Sequence, residues 1–172
     1  MKVIFLDIDG VLNTWTTCHL PPSFEKKHKI EAYLSPKSIE LVNKLAKEND
    51  AKIVISSSWR MHDKDLHVDP EYAGIDLRDF LGRSGLTAKF AEDWHTPIPE
   101  RFGELLHGRP RGFEISDWLE NHPEVTKWVS LDDDVSGFES KGILNHLAKT
   151  NPRMGFLEED FEKANNILKG KK

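Results

Sequence analysis

The stretch Val3-Ile4-Phe5-Leu6-Asp7-Ile8-Asp9-Gly10 constrains this chain more than any other. Residues 3–6 are apolar without interruption, the pattern of a strand buried on both faces of a parallel sheet. The run stops at one aspartate, and a second aspartate and a glycine follow. Open α/β sheets place their ligands at the carboxyl ends of the strands. Two carboxylates at such an end can hold Mg²⁺, and they set a nucleophile beside a proton carrier. A plain strand closing in an Asp-Gly turn shares the same few residues, so the rest of the chain has to decide between the two.

The following residues alternate between helix and strand signals. Ser35-Pro36 is an N-cap followed by proline at the first helical position. Ile39, Val42, Leu45 and Ala46 then form one apolar face, with Glu40 and Lys44 as a supporting pair one turn apart. This helix ends near Asn49-Asp50, and residues 52–55 read as a second strand. Strand, helix, strand in that order predicts a right-handed crossover and a parallel pair. Asp69-Pro70 and Gly74 break the next region, Leu77, Phe80 and Leu81 predict a short helix, and a third strand is expected within 86–94. Pro97, Pro99, Gly108 and Pro110 predict a loop with one helical turn at 102–106. A helix from Gly112 carries Ile115, Trp118 and Leu119 and stops at Asn121-His122-Pro123. Residues 128–131 form the next expected strand. A helix over 142–149, a short strand near 154–156 and a helix over 158–168 complete the prediction. Glu158, Glu159 and Asp160 suit the positive end of that last helix, and Gly170 stops it.

Three further polar clusters fall at element ends. Ile53-Val54-Ile55 runs into Ser56-Ser57-Ser58-Trp59-Arg60, Arg111 opens the helix of Gly112, and Trp128-Val129-Ser130-Leu131 runs into Asp132-Asp133-Asp134. A strand-end hydroxyl with nearby backbone N–H groups can bind phosphoryl oxygens, an arginine fork can bind phosphate bidentately, and clustered carboxylates favour a cation. Together with Asp7-x-Asp9 these clusters resemble, in order and over nearly the whole chain, the four motifs of the haloacid dehalogenase (HAD) superfamily. Residues 7–13, 56–60 and 111–119 are similar to a small, cap-poor group that includes the HAD domain of some nucleic-acid repair proteins.

The resemblance implies a Rossmann-like three-layer α/β/α core with a mainly parallel sheet. Residues 14–34 stand where the superfamily carries a small flap, and they are too few for a large cap domain with its own core. It also implies a Mg²⁺-dependent phosphatase. Asp7 would attack phosphorus, and Asp9 would protonate the leaving oxygen and later activate water. The implied metal site involves Asp7, Asp9 through its backbone carbonyl, Asp132 first and Asp133 second, while Asp134 leads into the loop beyond. Phosphate would meet Ser56, with Ser57 as runner-up, and Arg111, with Arg109 and Lys89 as other candidates for the cation. Trp59 and Arg60 could stack on and clamp a substrate, or Trp59 could belong to the core. Asp9 disfavours a dehalogenase, and the lack of a large cap disfavours a phosphomutase. An open site suits a bulky phosphate such as a nucleotide or nucleic-acid end. Small metabolites, phosphoproteins and a non-catalytic binding module are the alternatives.

Composition adds boundaries. With 172 residues and 19.7 kDa, a single domain spanning 1–172 is expected. A net charge of −5 disfavours a broad nucleic-acid surface, though not a local basic patch such as Lys26-Lys27-His28-Lys29. Cys18 is the single cysteine, so no internal disulfide is possible and a cytoplasmic setting is expected. No signal peptide or membrane span is expected, since no apolar run nears the roughly 20 residues that crossing a bilayer takes.

Overall fold

A computed structural model describes residues 1–14, 34–66, 75–98 and 109–171. The expected flap, with Cys18 and the basic cluster at 26–29, and the expected turn at 102–106 lie outside these residues. Five strands form one sheet: β1 (Lys2–Leu6), β2 (Ala51–Ile55), β3 (Phe90–His95), β4 (Lys127–Asp132) and β5 (Leu147–Lys149). Their order is β3-β2-β1-β4-β5, and every pairing is parallel. Among the described residues four α-helices accompany them: α1 (Pro36–Asn49), α2 (Leu77–Arg83), α3 (Arg111–Glu120) and α4 (Glu158–Lys169).

The apolar run of β1 is divided between two layers. Ile4 and Leu6 join Ile53, Ile55, Val129 and Leu131 beneath α1, α2 and α4. Val3 and Phe5 join Val54, Ala91 and Leu147 beneath Ile115 and Trp118 of α3. Successive strand residues face opposite sides, so only an uninterrupted apolar strand can serve both layers. Phe5 meets Trp118 and Trp128 edge-on, at centroid distances of 5.3 and 5.6 Å. The result is a three-layer α/β core, and the described residues form no large cap. None of the described helices is long and apolar enough to cross a membrane.

Local signals set α1 as expected. The Ser35 hydroxyl accepts from the Ser38 N–H, and Asp50 closes the helix in a left-handed conformation (φ 50°). Two expectations near the end of the chain are corrected. Residues 142–149 are not a helix: Gly142 takes φ +68°, a short 3-10 turn covers Leu144–His146, and β5 follows at once. The apolar spacing of Ile143, Leu144 and Leu147 fits a helix locally, but the open edge of β4 captures residues 147–149 as a strand. Residues 154–156 correspondingly form no strand. An isolated bridge links Asn151 to Gly155, and Phe156 is buried. The third strand also sits later than 86, beginning at Phe90.

The start of α3 depends on one glycine. A Cβ on Gly112 would lie 2.4 Å from the Gly137 carbonyl carbon and 2.6 Å from the Phe138 nitrogen. These neighbours are backbone atoms and cannot rotate aside. Gly112→Ala is therefore expected to destabilise the protein by about 1–3 kcal/mol, the usual cost of overpacking. Chemical denaturation checks this, and unchanged stability would contradict the close approach. The same shift would displace Arg111, one residue earlier.

Candidate active site

The chain leaves β1 beside two other strand ends. Leu6 pairs with Ile55 on one side and Leu131 on the other, which sets Asp7 next to Ser56 and Asp132. The Asp7 N–H continues the ladder to the Leu131 carbonyl at 3.1 Å. The chain departs to one side of β1 for β2 and β3, then returns to its other side for β4 and β5. The crevice at such a reversal is where open α/β sheets bind ligands.

Beyond Asp7 the backbone folds into a tight loop. The N–H groups of Val11, Leu12 and Asn13 converge on the Ile8 carbonyl, at 3.2, 2.9 and 2.8 Å. Gly10 has φ +74°, and a Cβ there would lie 2.5 Å from the carboxyl carbon of Asp133. The glycine of the first motif thus lets its loop pass directly against the acidic end of β4. Thr150, just after β5, donates its hydroxyl to the Gly10 carbonyl at 2.8 Å and ties that loop to the sheet.

One carboxylate oxygen each from Asp7, Asp132 and Asp133 lies within 4.8 Å of the others. This all-oxygen donor set fits a hard divalent cation such as Mg²⁺. Burial raises the affinity of Asp7 for a proton, opposed chiefly by the Arg111 charge and then by a hydrogen bond from the Ser57 hydroxyl. Burial likewise pushes Asp132 well above the usual carboxylate range, with Asp7 as the next cause, and raises Asp133. Asp134 lies apart: its carboxylate accepts from the N–H of Ser136 at 2.8 Å and from the Ser136 hydroxyl, and it shapes the loop after β4.

Among the described residues, Arg111 is the cation that reaches this cluster. Its Nε donates to Asp132 Oδ2 at 2.9 Å, Nη1 to Glu114 Oε2 at 3.2 Å and Nη2 to Asp7 Oδ1 at 3.4 Å. Burial alone would favour loss of its proton, but the three carboxylates together outweigh that and raise its pKa. Arg109 instead pairs with Asp117. Lys89 precedes β3 and stands at the amino end of the sheet, away from the cluster.

Arg60 is 1% exposed, and its donors are engaged inside the protein. Nη1 donates to the carbonyls of Ser56 and Ser57, Nε to Thr96, and Nη2 to Pro97 and to Glu114 Oε1. Its role is to clamp the exits of β2 and β3, and no donor is left over for a substrate. Glu114, buried and shared by both arginines, is a site residue that the sequence did not expose. It follows Arg111 by one helical turn, but a glutamate on a half-polar helix ordinarily faces solvent.

The two serines take different positions. The Ser57 hydroxyl accepts from the Trp59 N–H at 3.3 Å and is among the groups that lower the affinity of Asp7 for a proton. Ser56 is fully buried, and its hydroxyl has no hydrogen-bond partner among the described residues. Asp9 stands outside the carboxylate trio, exposed, with both oxygens occupied. Oδ1 accepts from Asn13 Nδ2 at 2.9 Å and Oδ2 from Trp59 Nε1 at 2.8 Å. The Trp59 ring stacks on Phe80 of α2 at 6.0 Å, so its ring packs on the core while its N–H faces the site.

No curated protein matches the chain, and no solved structure does. A family model does: that of the HAD domain in Swiss Army Knife RNA repair proteins matches residues 3–161, from the first residues of β1 into α4. The match takes in every strand and the whole carboxylate and arginine cluster, and the chain belongs to that HAD-domain family.

Proposed function

We propose that this HAD-type hydrolase is a Mg²⁺-dependent phosphomonoester hydrolase that works through an aspartyl-phosphate on Asp7. The observation that carries this reading is the convergence of Asp7, Asp132, Asp133 and Arg111 at the carboxyl ends of β1 and β4. Oxygens of the three aspartates, with the backbone carbonyl of Asp9, would hold Mg²⁺, whose charge offsets the repulsion between carboxylates and a phosphate dianion. An Asp7 oxygen attacks phosphorus in line, and the bond to the leaving oxygen breaks as Asp9 hands that oxygen a proton. Asp9, now ionised, takes a proton from water as the water attacks the same phosphorus, and the bond to Asp7 breaks. Arg111 and the hydroxyls at the end of β2 would hold the remaining phosphoryl oxygens.

The substrate class we infer is a phosphate on a nucleic-acid end. The family of this domain is named for RNA repair proteins, and the described residues carry no cap domain. Incubation with 5′- and 3′-phosphorylated oligoribonucleotides, nucleotides, sugar phosphates and phosphopeptides, with Mg²⁺ or with EDTA, tests both statements. Mg²⁺-dependent phosphate release, fastest from oligonucleotide ends, is expected. Release only from small metabolites or peptides would overturn the substrate class, and no release from any would overturn the phosphatase.

The acid role has its own test. Asp9→Asn is expected to lower kcat/KM for an alkyl phosphate by about 10²- to 10⁴-fold and for an aryl phosphate much less, because a good leaving group needs little protonation. Equal losses on both would argue against proton donation by Asp9.

A further inference from the structure

We propose that Trp59 is the positioning residue for Asp9: its indole N–H holds the exposed carboxylate in the orientation from which Asp9 serves the leaving oxygen. This deepens the phosphatase reading and rests on it. Asp9 sits on the loop after β1 and is itself exposed, so nothing in its burial restrains it. Asn13 also holds one oxygen, but from within the same loop, four positions along the chain. The indole N–H, at 2.8 Å from Oδ2, ties Asp9 to a different strand end fifty positions along the chain.

That anchor is held from several directions. Trp59 lies in the 3-10 turn Ser58–His62, which Ser57 caps by accepting from the Trp59 N–H. The neighbouring Arg60 fastens the start of the turn through the carbonyls of Ser56 and Ser57. The ring itself rests on Phe80, with an angle of 30° between planes. Ser57 thereby sets the backbone that carries the indole to Asp9.

The donor type suits the task. A carboxylate has about four lone-pair sites, and the Trp59 and Asn13 contacts take one on each oxygen, leaving others for the transferred proton. An indole N–H donates only, so it orients Asp9 without competing for that proton. Displacement of a catalytic group by about 1 Å can cost on the order of 10²-fold in rate.

The test is Trp59→Phe, which keeps an aromatic ring against Phe80 and removes the N–H. The readout is kcat/KM for an alkyl and an aryl phosphomonoester, because kcat/KM covers only the steps through departure of the leaving group. The alkyl-to-aryl ratio is expected to fall by at least about tenfold. In combination with Asp9→Asn, Trp59→Phe should lower the ratio no further, since both remove the same function. An unchanged ratio, or additive losses, would overturn the proposal. The second readout needs no turnover: in ¹H–¹⁵N spectra the Trp59 indole resonance should move in Asp9→Ala, and an unmoved resonance would overturn the contact even if Trp59→Phe did not fold. Wild-type protein inactive on both esters would instead overturn the phosphatase reading, while the indole resonance still reports on the contact.

Discussion

Asp7→Asn is expected to lower turnover of an aryl phosphate by on the order of 10³-fold or more, the scale on which loss of a nucleophile is felt, while leaving the fold intact. An amide cannot attack phosphorus. The structural cost should be small, because the change removes a buried charge next to Asp132, and Arg111 keeps Asp132 and Glu114 as partners. Asparagine also preserves the backbone link from position 7 to the Leu131 carbonyl. Initial rates together with a circular-dichroism melt check both halves. Wild-type-like turnover in a folded variant would end the assignment of Asp7 as nucleophile.

The second large effect concerns the metal. EDTA is expected to silence the enzyme and Mg²⁺ to restore it, and Asp132→Ala should weaken activation by Mg²⁺ far more than Asp134→Ala. The contrast follows from position: Asp132 is buried within the carboxylate trio, whereas Asp134 is spent on Ser136 in the next turn. The repulsion among the trio is offset in the folded state alone, so Mg²⁺ should also raise the melting temperature. Saturation at about 100 times Kd corresponds to roughly 2.7 kcal/mol of added stability. Asp132→Ala should lose most of that gain. Full activity in EDTA, or a crystal soaked in Mg²⁺ with no ion between Asp7 and Asp132, would sink the proposed mechanism.

What the amino-acid sequence determined by itself was everything that depends on neighbours along the chain. The run Val3-Ile4-Phe5-Leu6 specified a strand covered on both faces, and Ser35-Pro36 with the Ile39–Val42–Leu45 spacing specified α1. The aspartates at positions 7 and 132 were legible because each ends an apolar strand, and in a parallel sheet those ends share one edge. What only the tertiary structure decided was anything that turns on a partner distant in sequence. Residues 147–149 became β5 because β4 offered an unpaired edge, whose hydrogen bonds outweigh a locally helix-like spacing. Arg111, Arg109 and Lys89 are equivalent as charges. Packing of α3 against the sheet turns Arg111 to the carboxylates and sends Arg109 to Asp117, while the pairing of β3 with β2 leaves Lys89 at the opposite end of the sheet. The same holds for the buried Glu114 between two arginines and for the indole of Trp59 on Asp9. Periodicity and propensity describe which face a residue shows, but a hydrogen bond across fifty or more positions exists only once the sheet has brought its strand ends together.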